Sequence, residues 1–73
     1  MDTLGDRIRQ ARLAAGLSQQ QLAGPELTRS FICRIEHGKV RPSRQTLEEF
    51  ARRLGRPLEY FTAASAGDRL QAG

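Results

Sequence analysis

Residues 17–38 read LSQQQLAGPELTRSFICRIEHG, and the rest of the chain is arranged around this stretch. Ser18 and Gln21 form a capping-box pattern, which predicts the start of a helix because the two side chains satisfy backbone N–H groups that have no partner inside it. Gly24 and Pro25 then break that helix, since glycine tolerates left-handed geometry and proline has no N–H to donate. The stretch therefore predicts a short helix over residues 18–23, a tight turn and a second helix.

The second helix of this stretch has one apolar face and one polar, basic face. Thr28 is the expected N-cap and Gly38 the expected stop, so we predict a helix over residues 28–37. A rotation of about 100° per residue places Ile32 and Ile35 together on one side. The opposite side carries Arg29, Ser30, Cys33, Arg34 and His37. A helix whose polar face is simply solvated would show the same pattern. This helix, however, directly follows a tight turn, and that position favours a DNA-reading architecture.

Apolar periodicity outside this stretch predicts three further helices. The first spans residues 3–15, with Thr3 and Asp6 as its capping pair. The fourth spans residues 43–54, and a fifth begins near Pro57, a residue suited to the first turn of a helix. The apolar stripes consist of Leu4, Ile8, Ala11 and Ala15, then of Leu47, Phe50, Ala51 and Leu54, then of Leu58 and Phe61. The sequence thus predicts an all-α bundle of about five short helices.

Composition bounds the class of protein. A chain of 73 residues makes a single domain, and 38% hydrophobic with 27% charged residues is typical of a globular one. The 12 basic residues exceed the 8 acidic ones, for a net charge of +4. All the basic residues but one are arginine, whose planar fork recognises phosphate and guanine better than a lysine ammonium does.

Several classes of function are excluded by what the sequence lacks. A single Cys and a single His supply neither an internal disulfide nor a structural zinc site, so no metal is expected. We find no nucleophile–base pair, carboxylate pair or phosphate-binding glycine loop, and therefore expect no enzyme and no cofactor. There is no signal-peptide core and no apolar run of about 20 residues, which indicates a cytoplasmic protein without a membrane partner.

In order and spacing, these residues resemble the Cro/phage-repressor type of helix-turn-helix domain, the XRE family of transcriptional regulators. The residues that carry the resemblance are Ile8 with Arg12, Leu17-Ser18-Gln19, Leu22-Ala23, Ile35-Glu36-His37-Gly38, Pro42-Ser43, Leu47, Ala51 and Leu54-Gly55. The turn is one position shorter than is usual in that family, with Leu27 in its apolar slot. The resemblance implies a lambda-repressor-like DNA-binding domain over residues 1–61, followed by a frayed tail or linker over residues 62–73.

The resemblance also assigns roles to matching residues. It implies that Gln19 anchors a DNA phosphate and braces the helix over residues 28–37, and that Arg12 and Glu36 form a structural salt bridge. It implies base contacts in the major groove from Thr28, Arg29, Ser30 and Arg34. It implies further phosphate contacts from Lys39, Arg41, Ser43 and Arg44.

We therefore expect a sequence-specific, duplex-DNA-binding transcriptional regulator, a repressor, that acts as a homodimer on its operator. Leu58, Tyr60 and Phe61 are candidates for the dimer seam and could equally be pure core. Two alternatives stay open: an antitoxin of a toxin–antitoxin pair, and a protein-interaction module that does not bind DNA. The chain could also be the N-terminal domain of a longer protein with a C-terminal sensor. For Cys33 we favour a small neutral residue over a redox switch.

Overall fold

The computed structural model describes residues 3–62, and within them the chain forms α-helices and no strand. The helices are α1 at Leu4–Ala14, α2 at Gln19–Ala23, α3 at Arg29–Glu36, α4 at Arg44–Leu54 and α5 over residues 58–62. The predicted all-α architecture of about five short helices is confirmed, with every boundary within a residue or two of its expected place. The predicted tail lies outside the described residues apart from Thr62, which is still helical. No helix within residues 3–62 is long and apolar enough to cross a membrane.

The first four helices each begin at a hydroxyl residue that caps them. The side chains of Thr3, Ser18, Thr28 and Ser43 accept hydrogen bonds from the backbone N–H three residues later. In α1 and α2 the capping box is complete, because the third residue's side chain also accepts from the cap's own N–H. Replacing one such cap by alanine typically removes about 1 kcal/mol of stability. Local sequence therefore determines where these helices start.

Apolar side chains from all five helices meet in one core. Its buried members are Leu4, Ile8, Ala11, Leu22, Ala23, Ile32, Ile35, Leu47, Phe50, Ala51, Leu54 and Phe61. Ala15, which we expected on the stripe of α1, is exposed instead. The reason is that α1 ends at Ala14, so Ala15 is the C-cap and the chain turns away from the core.

Phe61 is completely buried in this core, at 0% exposure. Of the two interpretations open for Phe61, dimer seam or core, this burial supports the core, because the ring has no surface left to offer to a second copy. Leu58 and Tyr60 are partly exposed. The rings of Tyr60 and Phe61 form a T-shaped pair, and the guanidinium groups of Arg7 and Arg56 lie over the Tyr60 ring, 5.1 and 5.3 Å from its centroid. Arg7 also donates to the Tyr60 carbonyl oxygen at 2.8 Å, and α5 is thereby attached to α1.

The backbones of α1 and α3 approach each other closely at Gly5. A Cβ at this position would lie 2.6 Å from the carbonyl oxygen of Ile35 and 2.7 Å from that of Glu36. Backbone oxygens cannot move aside as a flexible side chain can. Only glycine therefore allows this separation between the first helix and the helix that follows the turn.

The turn between α2 and α3 depends on a second glycine. Gly24 has φ 64° and ψ −158°, a conformation that is essentially restricted to glycine. A Cβ at Gly24 would also collide with the guanidinium group of Arg53, which packs against the turn from α4. The short turn is thus held in a conformation that strains the backbone of any other residue, and a side chain at this position would also displace the end of Arg53.

Gly24→Ala should destabilise the fold far more than Gly55→Ala does. Gly55 is left-handed as well, at φ 68°, but a Cβ there meets nothing within 4 Å. We expect a loss of about 1 kcal/mol at Gly55 and about 3 kcal/mol at Gly24, where backbone strain adds to the displacement of Arg53. Urea unfolding followed by circular dichroism measures both, and equal losses would contradict this account of the turn.

Candidate nucleic-acid interface

Apart from Gln19, which begins α2 and is half-buried, the residues expected to contact DNA lie on one exposed stretch of chain. We call this stretch the basic face: it comprises the outer side of α3 and the segment that leads into α4. All its predicted contact residues are exposed to solvent, namely Thr28, Arg29, Ser30, Arg34, Lys39, Arg41, Ser43 and Arg44. The structure therefore leaves these side chains accessible to a partner.

The sequence of α3 explains why this side of the helix stays outside. Ile32 and Ile35 are buried at 0% and 2% exposure, and Phe31 packs against the core from the edge of the helix. Because a helix turns by about 100° per residue, burial of this stripe presents Arg29, Ser30 and Arg34 to solvent. The sorting of these side chains predicted from periodicity is confirmed.

The exposed charge on the basic face is positive. Residues 28–44 contain five Arg and Lys side chains and a single carboxylate, that of Glu36. Glu36 is only 8% exposed and pairs with Arg12 of α1. Arg44 pairs with Glu48 outside the stretch at 3.3 Å, but both side chains are mostly solvated and the pair is weak. A surface of this kind attracts a polyanion.

Arg12 and Glu36 form the expected ion pair between α1 and α3. Arg12 Nε donates to Glu36 Oε2 at 2.7 Å and Arg12 Nη2 donates to Oε1 at 3.1 Å, so the contact is forked. The two side chains are only 10% and 2% exposed. Arg12 Nη1 also donates to the Leu17 carbonyl oxygen at 3.0 Å, just before α2. One guanidinium group thus joins the first helix to both helices of the turn motif.

Gln19 is bound to the same carboxylate. Its Nε2 donates to Glu36 Oε1 at 3.2 Å, which connects the start of α2 with the end of α3. The side chain is half-buried. A primary amide carries two N–H groups and a carbonyl oxygen, so that one N–H can bind Glu36 while the other donates to a second acceptor. The geometry is compatible with both roles expected of Gln19.

Thr28 and Ser43 are exposed and also cap the helices that follow them. Thr28 Oγ1 accepts the Phe31 N–H at 3.1 Å, and Ser43 Oγ accepts the Thr46 N–H at 3.2 Å. A hydroxyl that accepts in this way keeps its own proton to donate outward. Thr28 can therefore cap its helix and still donate to an acceptor outside the protein. Ser43 Oγ also lies 3.0 Å from Thr46 Oγ1, so its proton is available outward when Thr46 is the donor of that bond.

Cys33 and His37 interact with each other at the end of α3. His37 Nδ1 lies 2.8 Å from the Cys33 carbonyl oxygen and 3.5 Å from its sulfur. Within residues 3–62 no group of three or more His, Cys, Asp and Glu side chains is placed to hold a metal ion. The redox hypothesis for Cys33 stays a prediction.

Sequence reasoning missed Arg53 of α4. Arg53 Nη1 donates to the Leu22 carbonyl oxygen at the end of α2, at 3.1 Å, and its Nε donates to Glu49 Oε2 at 3.0 Å. The hydrogen bond from Arg53 and the nearby charge of Arg52 hold the pKa of the Glu49 carboxyl below its usual value. The partners lie 31 residues apart along the chain, and no local pattern links them.

Glu36→Gln should be strongly destabilising, with a loss of about 3–5 kcal/mol, because it leaves the charge of Arg12 buried without its counter-ion. Glu48→Gln is the matched control, since it removes the same charge from a solvated pair and should change stability by less than about 1 kcal/mol. Urea unfolding measures both losses. Similar values for the two variants would show that burial does not set the strength of the Arg12–Glu36 pair.

Comparison with known proteins places this geometry in a family. A family model described as a helix-turn-helix domain matches residues 3–64. No curated protein sequence matches the chain. Among solved structures the chain is similar to PlcR of Bacillus thuringiensis, crystallised in complex with the peptide PapR7 and DNA, at a TM-score of 0.77 and 35% identity. That match covers 85% of this chain but 22% of PlcR, so the chain spans about a fifth of that protein's length. Since the family model covers most of the sequence, the chain belongs to the helix-turn-helix domain family.

Proposed function

We propose that this chain is a sequence-specific duplex-DNA-binding domain of a transcriptional regulator, with α3 as the helix that enters the major groove. The observation that carries the proposal is the basic face, in which an exposed helix surface continues into an exposed segment without a solvated carboxylate between residues 28 and 44. The similarity to PlcR, whose crystal structure contains DNA, supports the same partner. The mechanism is recognition without chemistry.

The first two turns of α3 carry the side chains proposed to contact bases. Arg34 is long enough and has the fork needed to bind O6 and N7 of a guanine together. Arg29 stands at the positive end of the helix dipole, where its own charge is disfavoured and a phosphate or base acceptor is favoured. Ser30 and the Thr28 hydroxyl are short and add donors at the same end. Specificity in this arrangement depends mostly on Arg34.

Phosphate contacts come from both sides of α3. Lys39, Arg41 and Arg44 lie on the segment after the helix, and the Ser43 hydroxyl lies among them. Gln19 approaches from the start of α2, where its amide is steadied by Glu36. These groups bind any DNA sequence and set the orientation of α3 in the groove.

We infer that two copies bind together. Helix-turn-helix dimers place their recognition helices in half-sites about 34–36 Å apart, and the operator then shares the two-fold symmetry of the protein. Leu58 and Tyr60, both partly exposed, remain candidates for the seam. A protein that occupies a promoter in this way blocks polymerase without further contacts, which makes repression the proposed outcome.

The test is selection of tight binders from a randomised duplex pool, followed by fluorescence anisotropy on the selected site. Arg34→Ala should lose about 1–3 kcal/mol of binding free energy and relax the preference at one base pair. Arg52→Ala is the control, because Arg52 is exposed on the last turn of α4, about 12 Å along that helix from Arg44. It should leave both affinity and preference unchanged.

Two outcomes would overturn parts of this proposal. Binding that is steep in salt but indifferent to sequence would remove the base contacts and leave only those to phosphate. Absence of binding at low salt by a folded protein would remove DNA as the partner, and the alternative of a protein-interaction module would then come first.

Lys39→Gln should weaken binding equally for the selected site and for unrelated duplexes. The loss of one phosphate contact reduces the slope of log K against log salt by roughly 0.9. Salt titrations of wild type, Lys39→Gln and the Arg52→Ala control measure this slope. A loss confined to the selected site would mean that Lys39 reads a base instead of a phosphate.

A further inference from the structure

We propose that Arg53 is a positioning residue for DNA recognition, which holds the end of α2 from α4 and thereby sets the turn that aims α3. The inference rests on the proposed function, because it assigns to a residue outside the basic face a role in the affinity of that face. Three features support it: the contacts of Arg53, the weakness of α2 by itself and the conformation of Gly24.

The guanidinium group of Arg53 is held at two points. Its Nε donates to Glu49 one turn earlier on α4, and its Nη1 reaches across to the Leu22 carbonyl oxygen. The side chain is 27% exposed. The bond to Glu49 fixes the plane of the guanidinium group, so that Nη1 is already oriented toward the carbonyl oxygen of Leu22. A lysine ammonium at this position has no such fork to join both acceptors.

The helix α2 needs a partner from elsewhere in the fold. It has five residues, and an isolated helix of that length is unstable because it forms too few hydrogen bonds to offset its nucleation. Its last carbonyl oxygens must also be satisfied from outside the helix. Those of Gln20 and Ala23 accept from the turn, from Gly24 N–H at 3.1 Å and Leu27 N–H at 3.3 Å. That of Leu22 accepts from Arg53.

Arg53 also fills the space beneath the turn. A Cβ at Gly24 would collide with the guanidinium group, so this group lies directly against the backbone at the point where α2 ends. Five residues, 24–28, separate α2 from α3. A movement of the end of α2 is therefore transmitted through a short segment to Arg29, the first residue of α3.

Under the proposed function, one residue of α2 and one of α3 must contact DNA at the same time. Gln19 begins α2 and Arg29 begins α3, and the turn between the helices sets the separation of the two. If Arg53 releases Leu22, the free protein samples several turn geometries and must order one of them on binding. Ordering of this kind lowers affinity without removing any contact to DNA.

The experiment compares Arg53→Lys with Arg52→Lys, which makes the same change at a neighbour that also pairs with Glu49 but is 75% exposed. Affinity for the selected site is measured by anisotropy at a temperature at which circular dichroism shows all the proteins folded. Arg53→Lys should bind about tenfold more weakly, with an unchanged salt slope because no phosphate contact is lost. Arg52→Lys should bind as wild type does.

Amide hydrogen exchange of the free proteins provides a readout that does not involve DNA. In Arg53→Lys the amides of Gly24 and Leu27, which bond the end of α2, should exchange faster than in wild type. The amide of Ile8 in α1 should be unchanged, since a general loss of stability would accelerate all three. Arg52→Lys should alter none of them.

Several results would overturn the inference. Wild-type affinity in Arg53→Lys, or an equal loss in Arg52→Lys, would show that the contact with Leu22 does not position the motif. A salt slope reduced by about 0.9 would mean that Arg53 binds phosphate directly. If wild type binds no duplex, the proposed function fails and the DNA part of this inference with it. Exchange at Gly24 and Leu27 then still decides whether Arg53 holds the turn.

Discussion

The structure depends most on one carboxylate, that of Glu36, and on its nearly dry pairing with Arg12. Two charges removed from water each require the other, so that the pair permits one relative placement of α1 and α3. Glu36 also accepts a hydrogen bond from the amide of Gln19, and Arg12 donates one to the carbonyl oxygen of Leu17. Four hydrogen bonds made by side chains therefore fix the relative positions of α1, α2 and α3 around the two charged groups. The close approach at Gly5 lets the helices come near enough for this.

The same burial shapes the electrostatics of the outer surface. Glu36 is the acidic residue of the stretch 28–44, and its position inside the protein removes a negative charge from the side that faces a polyanion. The arginines and the lysine around it keep their exposure. Stability and recognition are thus linked, because the group that fastens α3 to the scaffold also leaves the basic face without a solvated carboxylate of its own.

Short helices account for the remaining architecture. None of the described helices exceeds eleven residues, so intrinsic helix stability contributes little and end effects contribute much. Hydroxyl caps satisfy the first turns locally. At the C-terminal ends, backbone carbonyl oxygens accept hydrogen bonds from the N–H groups of the following glycines. Side chains from other helices also donate to them, as Arg53 does to the carbonyl oxygen of Leu22. A motif built in this way holds its geometry through contacts at the helix ends, which is where a DNA-binding surface needs it to be rigid.

The helices, their caps and the two faces of α3 can be predicted from local sequence, because they depend on hydrogen bonds and periodicity within about four residues. The pairing of Arg12 with Glu36 followed from the family resemblance. The core position of Phe61, the exposure of Ala15 and the contact of Arg53 with α2 become visible only in the folded chain. Burial depends on which surfaces meet, and a contact between residues 31 positions apart leaves no local pattern to read.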